Sequence, residues 1–266
     1  MSASIPATVD MAWSGDGNRL YYDVYGDGPV AIVFVHGWSC HRTYWNRQTG
    51  YFAERYQVIA IDLAGHGESG GTREAWPMSA FGADVVAVVE KLAPEKVVLV
   101  GHSMGGDVIV DAALSLGERA AGLFWIDTYN ALGRSRSAEE RARFVDRFRD
   151  DFVAATRKMV LRMFPADANP DLVERVAADM SSAPAEIAID AMEHAMSNHD
   201  AVVTALKALR APVIAINPDY RPNDVESLER HGVKTVVMTG VGHFSMMEDP
   251  DTFNQLLAGE IEKLIG

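Results

Sequence analysis

Residues Val97–Gly106 read VVLVGHSMGG. A short apolar run, mostly β-branched, leads straight into Gly101-His102-Ser103-Met104-Gly105, the pattern G-x-S-x-G. Such a run suits a strand buried on both faces. A helix is expected to begin at Met104. A sharp turn between strand and helix lifts a serine hydroxyl above a sheet, and small flanking residues let the backbones approach each other. The N-terminus of the helix favours negative charge developing beside that hydroxyl. The competing reading is a glycine-rich phosphate turn. The stretch has no G-x-G-x-x-G and no lysine after its second glycine, which argues against that. Ser103 is the candidate nucleophile.

On either side of this stretch the chain alternates strands and helices. Val30–Gly37 (VAIVFVHG) and Tyr56–Gly65 (YQVIAIDLAG) are further buried-strand runs ending in glycine. ATVDMAW and LYYDVYG flank Ser14–Asn18 (SGDGN), whose glycines suit a hairpin turn. Phe81, Val85, Val88 and Leu92 recur at helical spacing, so a helix is predicted over Met78–Leu92 before Pro94. This alternation predicts an α/β fold with a mostly parallel sheet and flanking helices. The pattern changes at Gly133. From Ser137 to about Leu209 only helices are predicted. Phe144, Phe148, Phe152, Ala155, Met159 and Met163 form one apolar stripe, with Pro165 past its end. Asn169 and Pro170 start another helix as N-cap and first residue, and a further helix follows Pro184. Strands return at PVIAIN and KTVVMTG, and a last helix runs from near Pro250 to Ile265. The expected organisation is a core of residues 1–132 and 209–266, with residues 133–208 inserted as a helical cap.

Bulk properties narrow the function classes. The chain has 266 residues, enough for a sizeable core, with 48% hydrophobic and 23% charged residues. Its net charge of -13 and lack of a basic cluster make nucleic acid and anionic membranes poor partners; the small-molecule substrate expected of this chain rests on the resemblance given below. One cysteine, Cys40, excludes an intramolecular disulfide and fits a reducing, cytoplasmic setting. MSASIPATVDMAW lacks the basic and apolar regions of a signal peptide, and no apolar run is long enough to span a bilayer.

With these motifs in place, the chain resembles the α/β-hydrolase fold superfamily over nearly its full length, in its serine-nucleophile branch. The resemblance makes His36-Gly37-Trp38 the loop after the third strand, so that the backbone N–H groups of Trp38 and Met104 form an oxyanion hole. Asp62–Ser69 (DLAGHGES) matches the loop after the fourth strand, a structural element. Gly240–Pro250 (GVGHFSMMEDP) matches the segment bearing the catalytic histidine, so His243 is the expected general base.

The acid is less regular. Most relatives of the fold place it in a G-x-x-D setting after the strand that follows the cap. Here that segment is PVIAINPDYRPND: Pro218 replaces the glycine and Arg221 stands where the acid would be. Asp127, ending AGLFWID, is the leading candidate, because some haloalkane dehalogenases and the cofactor-free dioxygenases of this fold keep their acid after the sixth strand. Asp219 is the alternative, and Asp224 lies nearby. A carboxylate closing a buried strand is costly unless paired, so an Asp127–His243 contact is expected.

A Ser-His-Asp set predicts a hydrolase that cleaves a small apolar carboxylic ester through an acyl-serine, with no cofactor and no metal. Ser103 excludes dehalogenase and epoxide-hydrolase chemistry, which in relatives needs aspartate at that position. Two alternatives remain open. One is a cofactor-free dioxygenase-like oxidoreductase acting on a heteroaromatic, suggested by the likeness of HGW to the loop of those enzymes. The other is a small-ligand receptor of the same fold. His66 and His102 are read as structural neighbours of turns, His36 as a brace of the oxyanion loop, and Cys40 as a bystander. His194 and His199 are about 140° apart around a helix and cannot share a metal. Trp38, Trp45, Trp125, Tyr129, Phe244, Met246 and Met247 are candidates for an apolar pocket or for the core.

Overall fold

The computed structural model describes residues 8–133 and 135–266. Most of the segment read for a signal peptide, and the first residues of the expected core, lie outside the described residues, as does Arg134 in the expected cap. In chain order the elements are β1 (Thr8–Trp13), β2 (Arg19–Tyr25), β3 (Val30–Val35), α1 (Asn46–Phe52), β4 (Gln57–Ile61), α2 (Met78–Leu92), β5 (Lys96–His102), α3 (Met104–Leu116) and β6 (Ala120–Ile126). Five helices follow: α4 (Ala138–Asp150), α5 (Phe152–Val160), α6 (Pro170–Ser181), α7 (Ala185–Ser197) and α8 (His199–Leu206). The chain closes with β7 (Val213–Pro218), α9 (Val225–Arg230), β8 (Val233–Met238), α10 (Ser245–Glu248) and α11 (Pro250–Ile265).

Among the described residues the sheet has eight strands in the order β1-β2-β4-β3-β5-β6-β7-β8. β1 and β2 form the predicted hairpin, and β2 joins β4 antiparallel; the other pairings are parallel. The apolar runs of β3, β4, β5 and β6 are buried along nearly their whole length because helices cover both faces. Neighbours of β6 show this. A Cβ on Gly122 would strike Leu264 of α11, whereas the Trp125 indole N–H, three residues on and therefore on the opposite face, donates to the Gly106 carbonyl of α3 at 3.0 Å.

The segment between β6 and β7 is helical, from Ala138 to Leu206. Asn169 caps α6 through the Asp171 N–H, with Pro170 at its first position, as expected. The apolar stripe from Phe144 to Met163 differs from expectation: it spans two helices, not one. Asp151 breaks it by adopting an extended backbone and capping α5 through the Ala154 N–H. Both helices still turn part of the stripe to one cavity, lined by Phe144, Met159 and Met163, while Phe148 and Phe152 pack on the Trp38 ring. No helix among the described residues is long and apolar enough to cross a membrane.

Candidate active site

Parallel strands point their C-terminal ends one way, and the loops leaving them meet over the sheet. Loops after β3, β5, β6 and β8 supply Trp38, Ser103, Asp127 and His243 to one cavity of about 280 Å³. The helical segment closes it with Phe144, Met159, Met180 and Met192, one from each of α4 to α7. A second cavity, of about 640 Å³, shares Arg136, Phe144, Met159, Met163 and Arg221 with the first and opens between α4, α5 and the loop after β7.

Ser103 sits at the turn between β5 and α3 with φ 52° and ψ -119°, a strained conformation for a residue with a side chain. The two glycines of the motif make that turn possible. A Cβ on Gly101 would lie 2.3 Å from the Gly105 carbonyl oxygen, and one on Gly105 would lie 2.6 Å from that of His36. The His36–Trp38 loop is pressed against the same turn: a Cβ on Gly37 would come within 3.2 Å of the Ser103 Cβ. Trp38 and Met104 thus border the serine, and Met104 opens α3, where backbone N–H groups have no partner within the helix. His36 holds this loop. It accepts the Leu63 N–H on Nε2 at 3.1 Å, which leaves Nδ1–H to donate to the Gly37 carbonyl at 2.8 Å. The Trp38 indole N–H reaches the Ala188 carbonyl of α7 at 2.6 Å, tying the loop to the helical segment.

His243 Nδ1 donates to Asp127 Oδ2 at 2.6 Å, and both side chains are buried. The histidine loop is clamped on both sides. Glu248 accepts the Gly242 and Phe244 N–H groups at 2.9 and 3.0 Å, and the His243 N–H donates to the Met163 carbonyl at 2.7 Å. His102, beneath the ring, donates from Nε2 to the His243 carbonyl at 2.9 Å; burial, first of all, lowers its pKa to about 3 and keeps it neutral. No hydrogen bond joins the Ser103 hydroxyl to His243 among those the described residues form. Such contacts are often long before substrate binds.

Asp127 has more donors than the histidine alone. Its Oδ2 also accepts from the Tyr220 hydroxyl at 3.0 Å and the Arg221 guanidinium at 3.1 Å. Burial pushes this carboxyl up, but the charge and hydrogen bond of His243, then the Arg221 charge, outweigh it and hold the pKa at about 2. Asp219 lies elsewhere: it is exposed and accepts the Gly240 N–H at 2.9 Å. Asp224 caps α9 through the Ser227 N–H at 2.9 Å.

Of the aromatic and methionine candidates, Trp38, Tyr129 and Phe244 line the cavity, whereas Trp45, Trp125 and Met246 are fully buried core. Met247 faces a separate groove. Cys40 borders the cavity, but burial drives its thiol far up, so it is no thiolate nucleophile. Tyr220, Arg221 and Glu248 escaped the sequence reading. Arg221 carried a signal, since it occupies the place where relatives of this fold keep their acid.

The model of the alpha/beta hydrolase family matches residues 32–256. The chain belongs to that family. It is 26% identical over 254 residues to 3-oxoadipate enol-lactonase 2 of Acinetobacter baylyi, covering 92% of this chain and 93% of that one. A thermophilic esterase from Thermogutta terrifontis superposes with a TM-score of 0.83 at 26% identity, over 98% of this chain and 100% of the other. A structure described as Est816, an N-acyl homoserine lactone degrading enzyme, gives 0.80 at 27% identity, over 94% and 99%. Family membership, with these esterase and lactonase relatives, makes the protein a hydrolase.

Proposed function

We propose that this hydrolase cleaves small, largely apolar carboxylic esters, lactones included, through an acyl-serine. The observation that carries the reading is the short Asp127–His243 contact on the wall of the cavity that holds the strained Ser103 turn. With Nδ1–H committed to Asp127, the unprotonated Nε2 is free to take the proton of Ser103. The serine oxygen then bonds to the ester carbonyl carbon. The Trp38 and Met104 N–H groups stabilise the oxyanion, and the C–O bond to the alcohol breaks as His243 returns the proton to it. Water, deprotonated by the same imidazole, releases the acid and restores Ser103. The Met and Phe walls support an apolar substrate, and the esterase and lactonase relatives support an ester bond. Helices α4–α8 act as the cap, with entry through the second cavity.

A panel of esters of increasing chain length, followed by acid release, tests the reading together with Ser103→Ala. The variant is expected to lose on the order of 10⁶ in kcat, the loss seen when a triad acts as a unit. A serine-directed phosphonate should label Ser103 in the parent. Activity retained in the variant, or dioxygen uptake without acid release, would overturn it.

A further inference from the structure

Asp107 stands one helical turn after Ser103 on α3 and lines the same cavity, yet the proposed chemistry does not use it. It is only 5% exposed, and its Oδ1 accepts no hydrogen bond. Two further buried polar atoms on the cavity wall also lack partners, Thr128 Oγ1 and His102 Nδ1. Burial pushes the Asp107 carboxyl up to about 7, opposed only in part by hydrogen bonds from Tyr129 and Asn198. A role in helix stability does not account for this. An acid in the first turn gains a little from the helix dipole. A buried acceptor left without a partner costs more than that, and more again if charged. Met159, Met163, Met180, Met192 and Phe144 on the wall offer the carboxyl no donor, and the two guanidinium groups that line the cavity are engaged elsewhere, Arg221 with Asp127 and Arg136 over the Phe144 ring.

We propose that Asp107, with Thr128 on the same wall, forms a polar subsite that receives an O–H or N–H donor on the substrate, in the cavity that holds the reacting carbonyl. This rests on the ester-hydrolase reading of the same cavity. Both side chains line one cavity, so a donor a few bonds from the scissile carbon can reach Asp107 while apolar substrate atoms lie against the methionines. A site built this way rejects the analogue that lacks the donor, because its own polar groups would then stay buried and unpaired.

Four esters test it: ethyl butyrate, with no donor; ethyl 3-hydroxybutyrate and ethyl N-acetylglycinate, with O–H or N–H on the acyl arm; and 2-hydroxyethyl butyrate, with O–H on the alcohol arm. Acid release by the parent protein should favour at least one donor-bearing ester over ethyl butyrate by about tenfold or more in kcat/KM. Asp107→Val should collapse that ratio, and Asp107→Asn should retain part of it. Calorimetry with Ser103→Ala gives the same comparison without turnover and keeps the test independent of the fold of the Asp107 variants. Tighter binding of a donor-bearing ester there, with no ester turned over by the parent, would support the subsite while the hydrolytic reading falls. Turnover of ethyl butyrate with no donor preference, or a preference that Asp107→Val leaves intact, would overturn the subsite alone.

Discussion

Asp127 and Asp107 are both buried and line one cavity, but the two regions that hold them treat them in opposite ways. The loop after β6 gives Asp127 partners: His243, Tyr220 and Arg221 all donate to Oδ2, and the pKa falls to about 2. The first turn of α3 buries Asp107 with Oδ1 unpaired, and its pKa rises to about 7. Burial acts upward on both. The difference lies in the histidine and the guanidinium: both face Asp127 and neither faces Asp107, which has only a phenol and an amide. A carboxylate held ionised can orient an imidazole and stabilise its cation. A carboxyl poised near neutrality with a free oxygen is suited to waiting for a donor.

Asp127→Asn makes the largest break in this comparison. The amide keeps the shape but favours the wrong imidazole tautomer, so kcat should fall by on the order of 10⁴. Steady-state kinetics on the best ester of the panel measures it. A loss below about tenfold would mean that Asp127 is only a structural acid.

Stability against pH gives the next effect, and the two residues should act with opposite sign. Asp127 has a depressed pKa, so its contribution of about 2 kcal/mol is present above pH ~4 and is lost as pH falls towards 2. Asp107 has a raised pKa, so the folded state holds a proton that the unfolded state has released. Between pH ~4 and 7 stability therefore declines with rising pH, by up to about 4 kcal/mol. Asp107→Asn should remove that decline, leaving Tm flatter from pH 4 to 8 and higher than the parent's at pH 8. Thermal unfolding across this range is the check. A parent protein whose Tm rises steadily from pH 4 to 8, unaltered by Asp107→Asn, would remove the contrast. A stabilised variant that handles substrate less selectively is the exchange expected where a strained site serves function.

Arg221 sharpens the comparison from the other side, because it is one of the donors that Asp107 lacks. Arg221→Gln should cost about tenfold in kcat, with Asp127 less firmly ionised and oriented. Its carboxyl should move up towards 3.8, so the loss of stability between pH 4 and 2 should become shallower. An acid-unfolding profile identical to the parent's would show that His243 alone sets the Asp127 charge.

The two aspartates also differ in how legible they were in the sequence. Strands and most helices follow from apolar runs, periodicity and cap residues, because those elements are selected locally: α2, α6 and α11 begin and end where their spacing, prolines and caps put them. Ser103 and His243 stand in segments whose motifs are contiguous. Asp127 was legible as a strand-ending acid in need of a partner, but its donors Tyr220 and Arg221 come from 93 and 94 residues away. No local pattern links them. Asp107 drew no reading from the sequence, since an i, i+4 spacing from Ser103 says nothing of what covers it. Asp151 shows the converse. A stripe that reads as continuous was broken by an extended residue whose capping role appears only in the backbone.

The smallest expected effect tests the region that sequence left as a rival. Asp219 leaves the end of β7 two residues before the place, held here by Arg221, where most relatives of the fold keep their acid, and it does not reach His243. Its carboxylate is exposed and accepts the Gly240 N–H at 2.9 Å, closing the loop that leads from β8 to the histidine. A single hydrogen bond of this kind contributes about 0.5–1.5 kcal/mol. Asparagine at 219 can still offer an oxygen to that N–H. Asp219→Asn should therefore change kcat by less than about twofold and lower Tm by a few degrees at most. The charge it removes lies on the surface and touches neither ring nitrogen of His243. A kcat loss of three orders of magnitude or more in this variant, with Asp127→Asn nearly silent, would move the acid to the loop after β7 and make the Asp127–His243 contact structural.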